Sequence, residues 1–404
     1  MEIGFVSFNQ EALNRANKVM RLLQGEGAID ELGMGRIRDI LSNLMFPGMS
    51  VLQTRAKYFL LMPALYAFLE RTRIADSRDA RHKIREYEIA ITRRLNEGAP
   101  GAPGIIGADS LRRGGDYVKY DPAYVYQAGL ETYGLVRSNG NLYAMLAERS
   151  ALYGNLPPKL TDKEDGADSD DLAGFEPCFL TCGEAYDFKS KDPLSIALTR
   201  KEAVFLRQRI IATQSDSLLG YILNNDLYLL ADIKTFEDLD SLLPSRVTPE
   251  LYRIYRLALR YSRFAYLLRM RYCILYDWAV EANDAARQLT NAFESYWHEY
   301  AEEFTPEAVG EILALTVGRV TDRNSTEFCR QAAHALTLDE NLETLDRLIV
   351  RREQEIKGPR RSKLLNAKEF ERGKAFEVSA PMSFRWNTIV RTTINDIREG
   401  LSHE

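Results

Sequence analysis

Thr248-Pro249-Glu250 writes a helix start, and the helical pattern behind it runs to about Ala279. Threonine accepts from an orphan amide of the first turn, proline has no amide to leave unpaired there, and the acid is favoured by the helix dipole. The segment is apolar on most of its sides. Such a helix cannot lie on a surface, because other elements have to wrap it. It therefore belongs at the centre of its domain, and the remaining chain has to supply the helices around it.

Further helix starts stand at Thr199-Arg200-Lys201-Glu202, with capping-box spacing, and at Thr305-Pro306-Glu307. Helical periodicity also marks Asn9–Leu23, Arg36–Phe46, Ser77–Asn96, Pro122–Leu135, Asn141–Tyr153, Leu218–Leu230, the stripe from Ala282 to Tyr300, Thr326–Leu336, Glu340–Ile356 and Ser383–Leu401. Ile3–Phe8 reads as a short strand, and Asp226–Lys234 is open to a strand reading as well. The expected fold is mainly α, a multi-helix protein with a helix-turn-helix-like N-terminal region and a larger C-terminal helical domain. The Gly/Pro-rich stretch EGAPGAPGIIG from residue 97 and the acidic run within 157–176 act as boundaries. They predict an N-terminal helical domain 1–98, a loop-rich connecting region 99–176 with short helices, and a C-terminal helical domain 177–404. Thr161–Asp171 lacks the ligand offsets of an EF-hand and reads as a solvated acidic loop.

Several function classes are disfavoured. Net charge is −5 over 404 residues, so any anion site has to be local. Cys178, Cys182, Cys273 and Cys329 lack zinc spacing and read as free thiols of a reducing cytoplasm, with a Cys178–Cys182 redox pair as the alternative. The longest apolar run, Tyr58–Leu69, is shorter than the ~20 residues a membrane span needs, and the N-terminus lacks the pattern of a secretory signal. A cytoplasmic protein without membrane contact is expected. His82, His298, His334 and His403 fall in no metal-binding spacing, and no Walker loop, nucleophile elbow or dinucleotide fingerprint is present. No cofactor or metal is expected. Asp226 with Asp232 and Lys234 is the one acid–acid–lysine set that suggests a metal-dependent nuclease.

Three constellations point to anions. At Pro47-Gly48 two helical patterns meet, and a second helix is predicted from Val51, capped by Ser50 with Gln53 reaching back and kinked at Pro63. Gln53, Thr54, Arg55 and Lys57 at its start follow helix-turn-helix grammar. The helical wheel turns Arg55 inward, towards Asp39 or Asp30, and leaves Gln53 and Lys57 for solvent or phosphate. Further on, Arg253, Arg256, Arg260 and Arg263 fall on one face of the long helix, interleaved with tyrosines that can stack on bases. The alternative is internal pairing with Asp238, Asp240 or Glu281. Finally, Arg351–Lys374 holds nine bases against four acids, with Arg360, Arg361 and Lys363 in a loop-like GPRRSK core. That is the electrostatic footprint of a nucleic-acid surface, or a solvated charge run.

Asp30–Asp39, then Met45-Phe46-Pro47-Gly48, Ser50, Gln53–Ala56, Tyr58–Leu60 and Pro63, together give DELGxGxIRD followed by FPGxSxxQTRAxYFL and a proline. This pattern resembles an uncharacterised bacterial family of about this length. Tyr261–Asn283 and Phe384–Leu401 carry a weaker likeness. The resemblance implies no known activity. It does imply a setting in mobile-element and phage-defence neighbourhoods, near helicases and phospholipase-D-like nucleases. The expected function is a non-enzymatic accessory subunit of such a system, acting with DNA or with a helicase or nuclease partner. Two alternatives stay open: a scaffold for an acidic protein partner, and a nuclease using Asp226, Asp232 and Lys234. The contact candidates are Gln53, Lys57, Arg253, Arg256, Arg260, Arg263, Arg360, Arg361 and Lys363.

Overall fold

The computed structural model describes residues 30–138, 140–154, 177–319, 323–338, 342–369 and 381–403. The predicted strand at Ile3–Phe8, the helix at Asn9–Leu23, the acidic run at Thr161–Asp171 and the bases Arg372 and Lys374 lie outside them. Within the described residues the chain is mainly α. In chain order the helices of seven residues or more are α1 (Gly35–Met45), α2 (Tyr58–Leu69), α3 (Ser77–Gly98), α4 (Pro122–Thr132), α5 (Leu142–Gly154), α6 (Arg200–Gln214), α7 (Leu218–Asn224), α8 (Pro249–Ala279), α9 (Asn283–Glu299), α10 (Pro306–Ala314), α11 (Arg323–Leu338), α12 (Glu343–Lys357) and α13 (Arg391–Ser402). The expected caps are made. Thr248 Oγ1 accepts from Leu251 N at 3.3 Å, Thr305 Oγ1 from Ala308 N at 3.2 Å, and Thr199 and Glu202 form a reciprocal box at 3.2 and 2.8 Å. The residues open to a strand reading form a 3-10 turn, Tyr228–Asp232.

The described residues fall into two compact units. One takes 30–45 and 233–384, the other 46–232 and 385–403. In the first, α8 is the axis. From Leu257 to Asp277 most side chains are buried, and α1, α9, α10 and α12 pack around it. Tyrosines tie its neighbours to it: Tyr261 donates to Met34 O at 2.7 Å and Tyr255 to Phe236 O at 2.9 Å. The apolar periphery of this helix thus leads to the central position that its sequence demands.

In the second unit α2 is the apolar centre, buried over almost its whole length and packed by α3, α4, α5 and α6. Its predicted start at Val51 is corrected to Tyr58. The amides of 54–56 do not enter a helical ladder because distant side chains take them. Tyr126 Oη accepts from Thr54 N at 2.8 Å and Arg55 N at 3.0 Å, and Asp396 Oδ2 accepts from Ala56 N at 2.8 Å. Buried amides need a partner, and here tertiary acceptors replace the first turn of the helix. The helix then continues through Pro63.

Candidate functional site

Arg253, Arg256, Arg260 and Arg263 share one face of α8, as their spacing predicts, and each meets a carboxylate of its own unit. Arg253 reaches Glu250 at 3.0 and 2.9 Å. Arg256 reaches Asp240 at 2.6 Å and Glu303 at 3.3 Å, and Arg260 reaches Glu311 at 2.9 Å. Arg263 is the most enclosed: it pairs with Glu237 at 2.6 Å and Glu303 at 2.7 Å, and the Tyr300 ring centroid lies 4.1 Å from its guanidinium. Burial works against the Arg263 charge, but the bonds to Glu237 and the charge of Glu303 outweigh it and raise its pKa. Of the acids expected as internal partners, Asp240 serves. Glu281 pairs instead with Lys368 at 3.6 Å. The interleaved tyrosines are occupied as well: Tyr272 donates to Glu353 at 2.7 Å and Tyr252 to Asp240 at 3.1 Å. The row is a chain of ion pairs along a buried helix.

The basic segment divides into cations that the fold absorbs and cations that it displays. Arg352 is buried, donating to Leu32 O at 3.0 Å and Ser325 Oγ at 2.8 Å. Lys357 is buried against Glu353 at 3.1 Å and Glu31 at 3.5 Å, and Lys363 also faces Glu31 at 3.5 Å. Glu353 organises this group. It is 0% exposed and accepts from Tyr272 Oη, Lys357 Nζ, Ser362 Oγ and the amides of Lys363 and Leu364 at 2.7–3.1 Å. Burial by itself would raise its carboxyl; the Ser362 and Tyr272 hydroxyls, the Leu364 amide and Lys357 overcome that and keep it below the usual range. Crowding acts on Lys363 too: burial, then Lys357 and Arg269, lower its pKa against the pull of Glu31. Between these anchors the Pro359–Arg361 turn carries Arg360 and Arg361 outward, both exposed. Arg361 Nε donates to Lys357 O at 2.9 Å, which fixes the turn further.

Gln53 and Lys57 correct the expectation of an exposed pair. Both are buried. Gln53 closes its own turn, accepting from Ser50 N and donating to Gly48 O, each at 3.0 Å. Lys57 Nζ lies 2.7 Å from both oxygens of Glu202, with the Tyr186 ring centroid 5.5 Å away. The helical wheel misplaces them because residues 51–57 are not helical. Arg55 does turn inward, but to Asp396 at 2.8 Å rather than to Asp39 or Asp30.

Asp226 is paired with Arg207 at 2.8 Å and Asp232 with Arg398 at 3.0 Å. Among the described residues no group of three His, Cys, Asp or Glu side chains is placed to hold a metal ion. All four cysteines are free thiols, and burial pushes Cys273 up to about 11 and Cys329 up to about 12, which keeps both protonated and unreactive. No described helix is long and apolar enough to cross a membrane. The residue that the sequence could not single out is Glu31, an isolated acid significant only through its tertiary neighbours; Glu353 and Tyr272 belong to the expected constellations, but their bond to each other is a tertiary outcome.

No curated protein and no solved structure matches the chain. A family model matches residues 2–286, and the chain belongs to that family, DUF6361, a family of unknown function.

Proposed function

We propose that this member of a family of unknown function is a nucleic-acid-associated accessory protein, not a catalyst, and that Arg360 and Arg361 are its phosphate contact. One observation carries the reading. Glu353 anchors the segment on the near side through Lys357 and on the far side through Ser362, Lys363 and Leu364, so the two exposed arginines stand on a turn fixed before any ligand arrives. Arginines carried on a fixed turn suit phosphate oxygens and lose less freedom on binding than those of a flexible tail. The paired row on α8 serves the fold in this reading. The family resemblance set out above adds a setting: a subunit of a bacterial defence assembly beside a helicase or nuclease.

The test is a salt titration of binding to short duplex and single-stranded DNA, with the wild type beside Arg360→Glu/Arg361→Glu. Loss of two phosphate contacts should weaken binding and flatten the log–log salt slope by about 2. A double variant that binds with an unchanged slope would sink the assignment. The second reading is a scaffold that offers the same two arginines to an acidic protein. The internal pairing of Arg253, Arg256, Arg260 and Arg263 favours it, because it removes four candidate phosphate contacts and leaves a small footprint for nucleic acid. Absence of DNA binding at low salt would decide for that reading.

A further inference from the structure

Glu88, on α3, is 1% exposed. Its Oε1 accepts from the Ala123 amide at 2.7 Å in the first turn of α4, where Asp121 Oδ1 caps the Tyr124 amide at 3.0 Å. Closing that helix end accounts for one carboxyl oxygen. The other, Oε2, is fully buried and without a partner among the described residues. Tyr66, on α2, is 0% exposed, and its hydroxyl is equally without one. The two groups act on each other, since Glu88 is the strongest electrostatic influence on the Tyr66 hydroxyl, yet they do not bond directly. Buried polar atoms are almost always satisfied, by protein or by an ordered small molecule. Two orphans on neighbouring helices of one unit are what a single bridging molecule would satisfy.

We propose that Glu88 Oε2 and Tyr66 Oη bind one sequestered neutral molecule of water size, with Glu88 donating the hydrogen bond. The position of the proton follows from geometry: the Ala123 amide needs an acceptor at Oε1, so a protonated Glu88 carries its hydrogen on Oε2. Burial first, and then the Asp121 charge, hold Glu88 well above the usual carboxyl range; the Ala123 amide and Arg85 oppose them. The charges nearby select a neutral guest. Arg85 stands 3.8 Å from Asp121, and Arg81 also acts on it, while Asp121 and Glu131 both act on the Tyr66 hydroxyl, so with Glu88 protonated the two cations and the two acids balance. A cation has no uncompensated charge to meet there, and an anion would face Asp121 in a desolvated site. Tyr143 is the partly exposed member of the group. Its hydroxyl is influenced by both Asp121 and Glu88.

The measurement is a high-resolution crystal structure of the full chain beside Tyr66→Phe, with infrared spectra of the wild type and Glu88→Gln at neutral pH. The expected result is one water-sized peak within hydrogen-bond distance of both Glu88 Oε2 and Tyr66 Oη. Tyr66→Phe should lose or displace it while folding normally. A carbonyl band of a neutral buried carboxyl should be present in the wild type and missing from Glu88→Gln. Direct bonding of Oε2 to Tyr66, or the absence of any peak, would overturn the site. Thermal stabilisation by potassium or ammonium at constant ionic strength that Glu88→Gln abolishes would show a cation site and overturn the neutral guest.

Discussion

Glu88 and Glu353 are both buried glutamates with opposite consequences. Five donors surround Glu353, so it is more acidic folded than unfolded. Its contribution is present above the ordinary value of 4.5 and is lost as pH falls through the lower folded value. Glu88 is less acidic folded than unfolded. Its unfolded form begins to ionise near 4.5 while the folded form keeps its proton, so stability drains away as pH rises from there towards the folded value. The groups acting on Glu88 are Asp121, the Ala123 amide and Arg85, and Glu88 in turn acts on the hydroxyls of Tyr58, Tyr66, Tyr117 and Tyr143. Burial raises all four tyrosines, so they stay protonated through the neutral range and the trend is set by the carboxyls. Urea unfolding across pH should therefore show Glu353→Gln losing about 2 kcal/mol or more at pH 7, with the deficit shrinking in acid. Glu88→Gln should gain on the wild type as pH rises. Parallel pH profiles for the two variants would contradict both assignments.

At the scale of elements, α8 and its arginine row show how much a single helix communicates before it is folded. Its start, its length and its apolar surround follow from Thr248-Pro249-Glu250 and the residues behind them, and so does the common face of the four arginines. The partners do not follow, because Glu237, Glu303 and Glu311 come from neighbouring elements whose approach no local pattern encodes. Burial of the pairs grades along the row. Arg253 and Glu250 are both largely exposed, whereas Arg263 is held between two acids and an aromatic ring. Arg263→Ala should therefore cost about 3 kcal/mol, because Glu237 loses this partner and Glu303 keeps only its longer contact to Arg256. Arg253→Ala should leave the melting temperature within error, since an exposed pair is screened by water and salt. Equal effects at the two positions would mean that the row is uniformly solvated. The segment before α2 gives the converse lesson: its Ser50–Gln53 spacing is a real local bond, but it closes a turn rather than a helix.

At the scale of the whole molecule, each unit recruits segments far apart in the sequence. Residues 385–403 complete the unit built mainly from 46–232. In it, α13 packs on α6, and Asp396 bonds Arg55 and the Ala56 amide. Truncation after Phe384 should remove amide hydrogen-exchange protection from α2 and α6, and unchanged protection there would refute that dependence. Local composition marks boundaries at 98 and 176, and composition has no means of registering a contact between residues 55 and 396.

The sequence by itself determined the mainly α class, the central position of α8, its caps and the alignment of its arginines. Each of these depends on side-chain chemistry within a few turns of one helix, where periodicity and capping act. Only the tertiary structure decided that Gln53 and Lys57 are interior, that the arginine row is neutralised within its own unit, that Arg360 and Arg361 are exposed on a turn held by Glu353, and that Glu88 and Tyr66 each keep a buried oxygen without a partner among the described residues. Those outcomes turn on burial and on which distant charge lies within a few ångströms, quantities that exist only after the chain has closed on itself.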